Sequence, residues 1–203
     1  ISHGYDLKLD DLLKYTAELA MGAVKQNEAE AGKPAKGKPR KQLDEVSLVE
    51  SLKQFVLHRV EALLFEQELP IEMIRAVIGG GETRIARLPL MARALTALVG
   101  SEGLDNVVTG WRRTSVLGSK AQGREVAEGL LVEEAEQQLY HIIKQKSGLM
   151  DELFGNKKYE EYLEELSALR IPIDSCLDNV LIMAEDDALK QNRLNLLALV
   201  SDM

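Results

Sequence analysis

The chain has 203 residues, of which 45% are hydrophobic and only 4% aromatic, so its core must rest on aliphatic side chains, which favours helices over a β-sandwich. Its formal net charge of −8 argues against a general nucleic-acid coat protein, which is normally basic, but leaves room for a local basic face. A single cysteine excludes an internal disulfide framework, and no apolar run is long enough to cross a bilayer.

Apolar residues recur at helical spacing along the chain, and no segment shows the alternation of a β-strand. The pattern S-x-x-E at residues 47–50 predicts a capping box that starts the second helix. Gly100, Gly103, Gly148 and Gly155 indicate helix ends. We predict an all-α helical bundle with helices near residues 10–24, 47–67, 70–78, 82–99, 103–117, 124–146, 156–170, 172–184 and 186–200.

Residues 26–43 combine Gly, Pro, Ala and Lys without any apolar period, which predicts a flexible linker. Its second part, residues 31–43, holds five basic residues and no acidic one. It is either a solvated tether or a salt-sensitive contact to RNA phosphates. We therefore predict a lead-in helix at 1–24, a flexible basic linker at 25–45 and a helical domain at 46–203.

Residues 168–197 predict two helices in the centre of the bundle. The second one opens at Asp186 and Asp187, whose carboxylates suit the positive end of a helix dipole. Cys176 lies on the apolar face of the first one and is expected to be a small buried hydrophobe. The apolar stripe of that first helix consists of Ile173, Cys176, Leu177, Val180, Leu181, Met183 and Ala184.

Catalytic and metal-binding patterns are absent from the sequence. Residues 79–81 are three glycines that end a predicted helix, and no Lys-Ser or Lys-Thr follows as a phosphate loop requires. His3, His58 and His141 are scattered without metal-ligand spacing. Glu133, Glu134 and Glu136 are expected to form a solvated helix face. We expect no catalytic residue, no metal and no cofactor in this chain.

Three blocks of sequence resemble the glycyl-tRNA synthetase beta subunit of the bacterial and plastid type, in its C-terminal helical anticodon-binding domain, which is related to the DALR class. The first block is DLKLDDL at residues 6–12, and the second is residues 47–78. The third runs over residues 170–197, with Arg170, Asp178-Asn179-Val180 and Asn192-Arg193-Leu194 in the family's order. The resemblance implies a DALR-type bundle that has been excised from a longer protein.

The resemblance implies an RNA contact at residues 110–117, where the family carries a basic segment. Trp111, Arg112 and Arg113 are the candidates there, and Lys120 and Arg124 extend the positive strip. Trp111 would either stack under an anticodon base or pack in the core.

Arg59 matches the family pattern as well and is a sixth candidate for RNA binding. It shares a structural alternative with Arg170, Asn192 and Arg193, because polar groups near a core need partners. That alternative is a pairing with an acid such as Asp174 or Asp178, or a hydrogen bond between helices.

The function implied by the resemblance is anticodon recognition, which positions glycine tRNA for aminoacylation carried out elsewhere. The implied partners are glycine tRNA, the rest of the beta chain and the alpha subunit, in the cytoplasm or the plastid stroma. ATP and Mg²⁺ are expected only at the catalytic subunit of the parent glycine–tRNA ligase, and no membrane contact is expected. The alternative is a helical protein-interaction scaffold that no longer reads RNA. It is favoured by the acidic balance, by the altered basic segment around Trp111 and by residues 26–43, which are longer than the family's usual connection.

Overall fold

The computed structural model describes residues 7–30 and 44–203, with the side chains of residues 24–30 and 45 left aside. Over these residues it contains helices and no named strand, so the predicted all-α class is confirmed. The helices are α1 (Leu9–Glu30), α2 (Glu45–Phe65), α3 (Ile71–Gly79), α4 (Leu88–Ala97), α5 (Glu102–Gly118), α6 (Glu134–Gly155), α7 (Tyr159–Ala168), α8 (Arg170–Asn179) and α9 (Asp187–Ser201), with a short 3-10 turn at Glu128–Leu130.

The chain divides into two compact units, Ile1–Thr96 and Ala97–Met203. The boundary falls inside the single domain predicted for residues 46–203. Helix α1 continues to Glu30, six residues beyond its predicted end, and residues 31–43 of the predicted linker lie outside the described residues.

In the first unit, α2, α3 and α4 surround a core of aliphatic side chains. Leu64, Ile74, Leu88 and Ala92 are fully buried there. Helix α2 begins at Glu45, with Asp44 as the N-cap residue, so the predicted capping box at Ser47 and Glu50 is wrong.

Helix α4 begins at Leu88 rather than near residue 82. Proline fits only the first turn of a helix, because it lacks the N–H that interior positions donate, and Pro89 is the second residue of α4. The residues before α4 are bonded to α1 instead: the backbone N–H of Leu9 donates to the carbonyl of Thr83 at 2.8 Å. The sequence prediction overlooked this proline.

The second unit packs α5 to α9 around a core that includes Leu139, Ile173, Cys176, Leu194 and Leu197. Cys176 is fully buried, as predicted, and burial raises the pKa of its thiol to about 11. Asp186 caps α9 by accepting hydrogen bonds from the N–H groups of Ala188 (2.8 Å) and Leu189 (3.0 Å), which confirms the predicted start of this helix.

Two predicted helices of the second unit have different bounds. Helix α6 starts ten residues later than predicted and runs through Gly148, so that glycine does not end it. Gly103, by contrast, is the second residue of α5 and lies at a helix end as predicted. Helix α8 ends at Asn179, which leaves Leu181 and Met183 exposed rather than in the predicted apolar stripe.

Side chains of α6 and α9 form hydrogen bonds with the backbone of the non-helical segment before α6. Asn192 accepts from the N–H of Ala127 at 2.7 Å and donates to the carbonyl of the same residue at 3.1 Å. Glu136 accepts from the N–H of Val132 at 2.6 Å and of Glu133 at 2.9 Å. These bonds satisfy backbone groups that would otherwise favour a longer α6.

Candidate nucleic-acid interface

Helix α5 turns a row of small residues toward its neighbours. Gly110, Thr114 and Gly118 are buried at a spacing of four residues, which places them on one face of the helix. A Cβ atom on Gly118 would lie 2.9 Å from the Cα atom of Ala198, and one on Gly110 would lie 3.3 Å from Cδ1 of Ile173. The small residues therefore let α5 approach α8 and α9 closely and fix which side of α5 faces outward.

The exposed side chains of α5 include Val108, Trp111, Arg112 and Val116, a set that we call the α5 outer face. Trp111 is 58% exposed and Val116 is 61% exposed, and Arg112 is exposed as well. Trp111 therefore does not pack in the core, which was the alternative considered for it. The face combines an indole ring, two aliphatic side chains and a cation.

The α5 outer face lies in a stretch of chain without negative charge. Residues 106–124 hold four basic residues and no Asp or Glu, although the chain as a whole is acidic. Arg112 makes no ion pair and no side-chain hydrogen bond with any residue that the structure describes. Lys120, exposed just after the end of α5, is in the same situation within the described ranges. Both cations are therefore available to an external anion.

Arg113 points to the other flank of α5 and is bound by acids. Its guanidinium forms ion pairs with Asp174 and, at 3.1 Å, with Asp178 of α8. The hydrogen bond to Asp178 raises the pKa of Arg113; burial opposes it, and the hydrogen bond to Asp174 and the attraction of both carboxylates add to the rise. Because Arg170 also pairs with Asp174, Arg113 is part of an ion-pair network between α5 and α8.

The remaining two candidates, Arg124 and Arg59, differ in whether they have a partner. Arg124 pairs with Asp202, and both side chains are about half exposed. Arg59 is exposed on α2, in the unit Ile1–Thr96, and forms no ion pair with any described residue. The structure thus leaves Trp111 and Arg112 exposed on α5 and pairs Arg113 and Arg124 with carboxylates.

Arg193 and Glu136 form an ion pair in the core of the second unit. Nε of Arg193 lies 2.9 Å from Oε2 of Glu136, and Glu136 is completely buried. Burial alone would raise the pKa of Glu136, but the bonds from Arg193 and from two backbone N–H groups outweigh it and hold that pKa below its ordinary value. The predicted solvated role of Glu136 is wrong.

Arg59, Arg170, Asn192 and Arg193 were each given a structural alternative, a pairing with an acid or a hydrogen bond between helices. It holds for three of the four. Arg170 pairs with Asp174, which the sequence analysis named as a possible partner. Asn192 and Arg193 connect α9 to the segment before α6 and to α6 itself. Arg59 has no such partner among the described residues.

Sequence reasoning missed the exposed valines at positions 108 and 116 as members of the site. Two signals would have found them. The absence of acids over residues 106–124 delimits the segment, and the spacing of Gly110, Thr114 and Gly118 separates its inward side from its outward side.

Within the described ranges, no group of three or more His, Cys, Asp or Glu side chains is arranged to hold a metal ion. Among the helices of the same ranges, none has the length and apolar character that a membrane span requires.

Residues 111–203 match the model of the DALR anticodon binding domain family. The chain is 32% identical to the glycine–tRNA ligase beta subunit of Clostridioides difficile over 159 residues, which are 78% of the chain and 23% of that relative. It is 30% identical to the beta subunit of Tolumonas auensis over 196 residues, 95% of the chain and 26% of the relative. It is 28% identical to that of Vibrio atlanticus over 200 residues, with 97% and 26% covered. The chain therefore spans about a quarter of the length of the curated relatives it matches.

Proposed function

We propose that this chain, a homologue of glycine–tRNA ligase beta subunits that carries a DALR anticodon binding domain, binds the anticodon arm of glycine tRNA. The observation that supports this most is the α5 outer face, where Trp111 and Arg112 are both exposed at the start of the matched region. Unpaired RNA loops are recognised by aromatic and arginine side chains that stack on bases and by cations that hold phosphates.

The role of each residue follows from its exposure and its partners. Arg112 and Lys120 contact RNA phosphates, because neither cation is neutralised by a carboxylate of the described residues. Trp111 stacks on an unpaired base. Arg113 and Arg124 contribute less, since each already pairs with aspartate.

In this proposal the chain performs no bond-making step. It positions the tRNA so that the acceptor end reaches a catalytic site in the alpha subunit, where ATP and Mg²⁺ would act. Its further partners are that subunit and the rest of a longer beta chain. Its place of action is the cytoplasm, or the stroma in a plastid.

A scaffold that binds protein instead of RNA is not favoured. The matched family is an anticodon-binding one, and the beta-subunit relatives align with most of this chain. The charge distribution adds to this, because an acidic body with a local cationic segment suppresses non-specific RNA binding while keeping one contact surface.

Filter binding with glycine tRNA, anticodon-swapped glycine tRNA and an unrelated tRNA tests the proposal. We expect the tightest binding to glycine tRNA, a loss on swapping the anticodon, and an affinity that falls steeply with salt because phosphate contacts release counterions. Equal affinity for all three RNAs, or no binding at moderate salt, would contradict the proposed function.

A further inference from the structure

We infer that Val132, Leu181 and Met183 form an apolar docking patch for a protein segment that carries aliphatic side chains flanked by Lys or Arg. This inference goes beyond the proposed function, because the partner is a polypeptide and no residue of the α5 outer face takes part. All three residues belong to the unit Ala97–Met203. They lie in two non-helical segments, one before α6 and one between α8 and α9.

The side chains of the docking patch are aliphatic and exposed. Leu181 is 70% exposed, Val132 is 62% exposed and Met183 is 50% exposed. Isolated exposed aliphatic residues are common on protein surfaces, whereas a group of them with a polar rim is typical of a binding site. Their grouping and the charges around them therefore decide whether they form a site.

One buried ion pair brings the two segments together. Oε1 of Glu136 accepts a hydrogen bond from the backbone N–H of Val132 at 2.6 Å and another from Nη2 of Arg193 at 3.3 Å. Nη1 of the same arginine donates to the carbonyl of Leu181 at 2.9 Å. The backbones of residues 132 and 181 therefore contact the same ion pair, which places Val132 and Leu181 close together at the surface.

Buried neighbours hold the backbone of the docking patch in place. Leu131, Val180 and Ile182 lie in the same core cluster. The backbone is extended at Val180, with φ −113° and ψ 125°, and successive side chains of an extended chain point to opposite sides. Burial alternates accordingly, so Leu181 and Met183 point outward. Because this backbone is fixed before a partner arrives, binding costs little conformational entropy.

The two segments that form the docking patch are rich in acids. Residues 125–143 contain five acidic residues and no Lys or Arg, and residues 171–189 likewise contain five acidic residues and no Lys or Arg. Next to the patch in sequence, Glu133, Glu134 and Glu185 are exposed, and none of them forms an ion pair with a described residue. These carboxylates repel RNA phosphates and attract Lys or Arg, which defines the chemistry of the partner.

The cations of α9 do not offset these carboxylates. Arg193 is paired with Glu136 in the core, and Lys190 forms an ion pair with Asp187. A second copy of the chain is a poor occupant, because each copy carries a net charge of −8. A separate basic segment is therefore the occupant that the charges favour.

The experiment selects short random peptides, displayed on phage, on the 203-residue chain and measures the affinities of the enriched peptides by calorimetry. We expect these peptides to share aliphatic residues flanked by Lys or Arg and to lack Asp and Glu. Leu181→Ser removes the most exposed side chain of the docking patch and should weaken their binding by about 10- to 100-fold. Ile171→Ser, at the other end of α8 and at an aliphatic residue that is 80% exposed, is the matched control and should bind them like the wild type.

Charge reversal tests the acidic surroundings separately. Glu185→Lys should weaken the enriched peptides by about 2- to 5-fold and reduce the salt dependence of their binding. Glu164→Lys, at an exposed glutamate of α7 that has no ion pair with any described residue, is its control and should leave both unchanged. All four variants alter exposed side chains, so their melting temperatures should stay close to that of the wild type.

The inference is wrong if no peptide is enriched, if the enriched peptides are acidic, or if Leu181→Ser binds them as tightly as the wild type. Sedimentation and filter binding test the other occupants, and we expect Leu181→Ser to match the wild type in both. Self-association that Leu181→Ser abolishes would assign the patch to a second copy. A loss of glycine-tRNA affinity in Leu181→Ser would assign it to RNA. Failure of the peptide selection alone leaves the proposed function intact, because that function depends on the α5 outer face.

Discussion

Arg193 of α9 and Glu136 of α6 are joined by two hydrogen bonds inside the second unit, at 2.9 Å from Nε to Oε2 and 3.3 Å from Nη2 to Oε1. Arg193 also donates to the carbonyl of Leu181 at 2.9 Å, in the segment between α8 and α9. One buried pair thus connects α6, α9 and two non-helical segments.

Removing the carboxylate of this pair should destabilise the fold strongly. Glu136→Gln leaves the arginine charge buried without its counter-ion, and such a change costs roughly 3–5 kcal/mol of unfolding free energy. Guanidinium denaturation measures this loss of unfolding free energy. The double variant Glu136→Gln/Arg193→Met removes the orphaned charge and should recover part of the loss; a double variant as unstable as the sum of both single variants would contradict the pairing.

The same pair predicts a pH dependence of stability. The pKa of Glu136 is lower in the folded chain than in the unfolded one, so the unfolded state binds its proton first as pH falls. The stabilisation is therefore complete above the ordinary glutamate pKa of about 4.3 and is lost as pH falls through the folded value. Urea denaturation between neutral and acid pH should give a steeper loss for the wild type than for Glu136→Gln, and parallel curves would refute the assignment.

Two glycines allow a matched test of helix packing. In Gly118→Ala the new Cβ meets the backbone of Ala198 at 2.9 Å, so α5 or α9 must shift, at a cost of about 1–3 kcal/mol. Gly148→Ala, inside α6 with nothing within 4 Å of the new Cβ, should instead stabilise by about 0.5–1 kcal/mol. Thermal unfolding of both variants decides the matter, and a neutral Gly118→Ala would mean that α5 and α9 do not approach so closely.

Arg112 and Arg113 are neighbours in sequence with different expected roles. Arg112→Glu should weaken binding of glycine tRNA and change stability by less than about 0.5 kcal/mol, because the side chain is exposed and unpaired among the described residues. Arg113→Ala should have a smaller effect on binding and cost no more than about 1 kcal/mol of stability, since its pairs with Asp174 and Asp178 are partly screened by solvent. Filter binding and thermal unfolding of both variants separate the two roles, and reversed phenotypes would count against the α5 outer face as the RNA contact.

Cys176 should be inert in the folded chain. It is fully buried and its thiol has a pKa of about 11, so almost no thiolate is present at neutral pH. A thiol-specific reagent is expected to label it only at the rate of unfolding, and immediately in guanidinium. Rapid, complete labelling under native conditions would show that the core around α8 opens easily.

The fold class and several helix positions could be predicted from the sequence because they depend on local signals. The cap at Asp186 and the buried Cys176 belong to this group. The start of α6 depends only partly on local signals. Glu133 and Glu136 form a capping box there, but the backbone before it is also held by Asn192, which lies 65 residues away from its partner Ala127.

In the candidate site, too, some features follow from local sequence and others from distant residues. Its basic residues could be named from the sequence, but the sequence did not show which of them are free to bind an anion. Whether an arginine is paired depends on aspartates that are distant along the chain, such as Asp178 for Arg113 and Asp202 for Arg124. The choice between Arg112 and Arg113 therefore required the structure.

The row formed by Gly110, Thr114 and Gly118 has a consequence for protein engineering. Contacts that keep α5 in place involve these inward positions, whereas the side chains at 108, 111, 112 and 116 are exposed. A library randomised at these four outward positions should therefore retain the scaffold and vary only what it recognises. Selection from such a library offers a route to domains that prefer other hairpin loops.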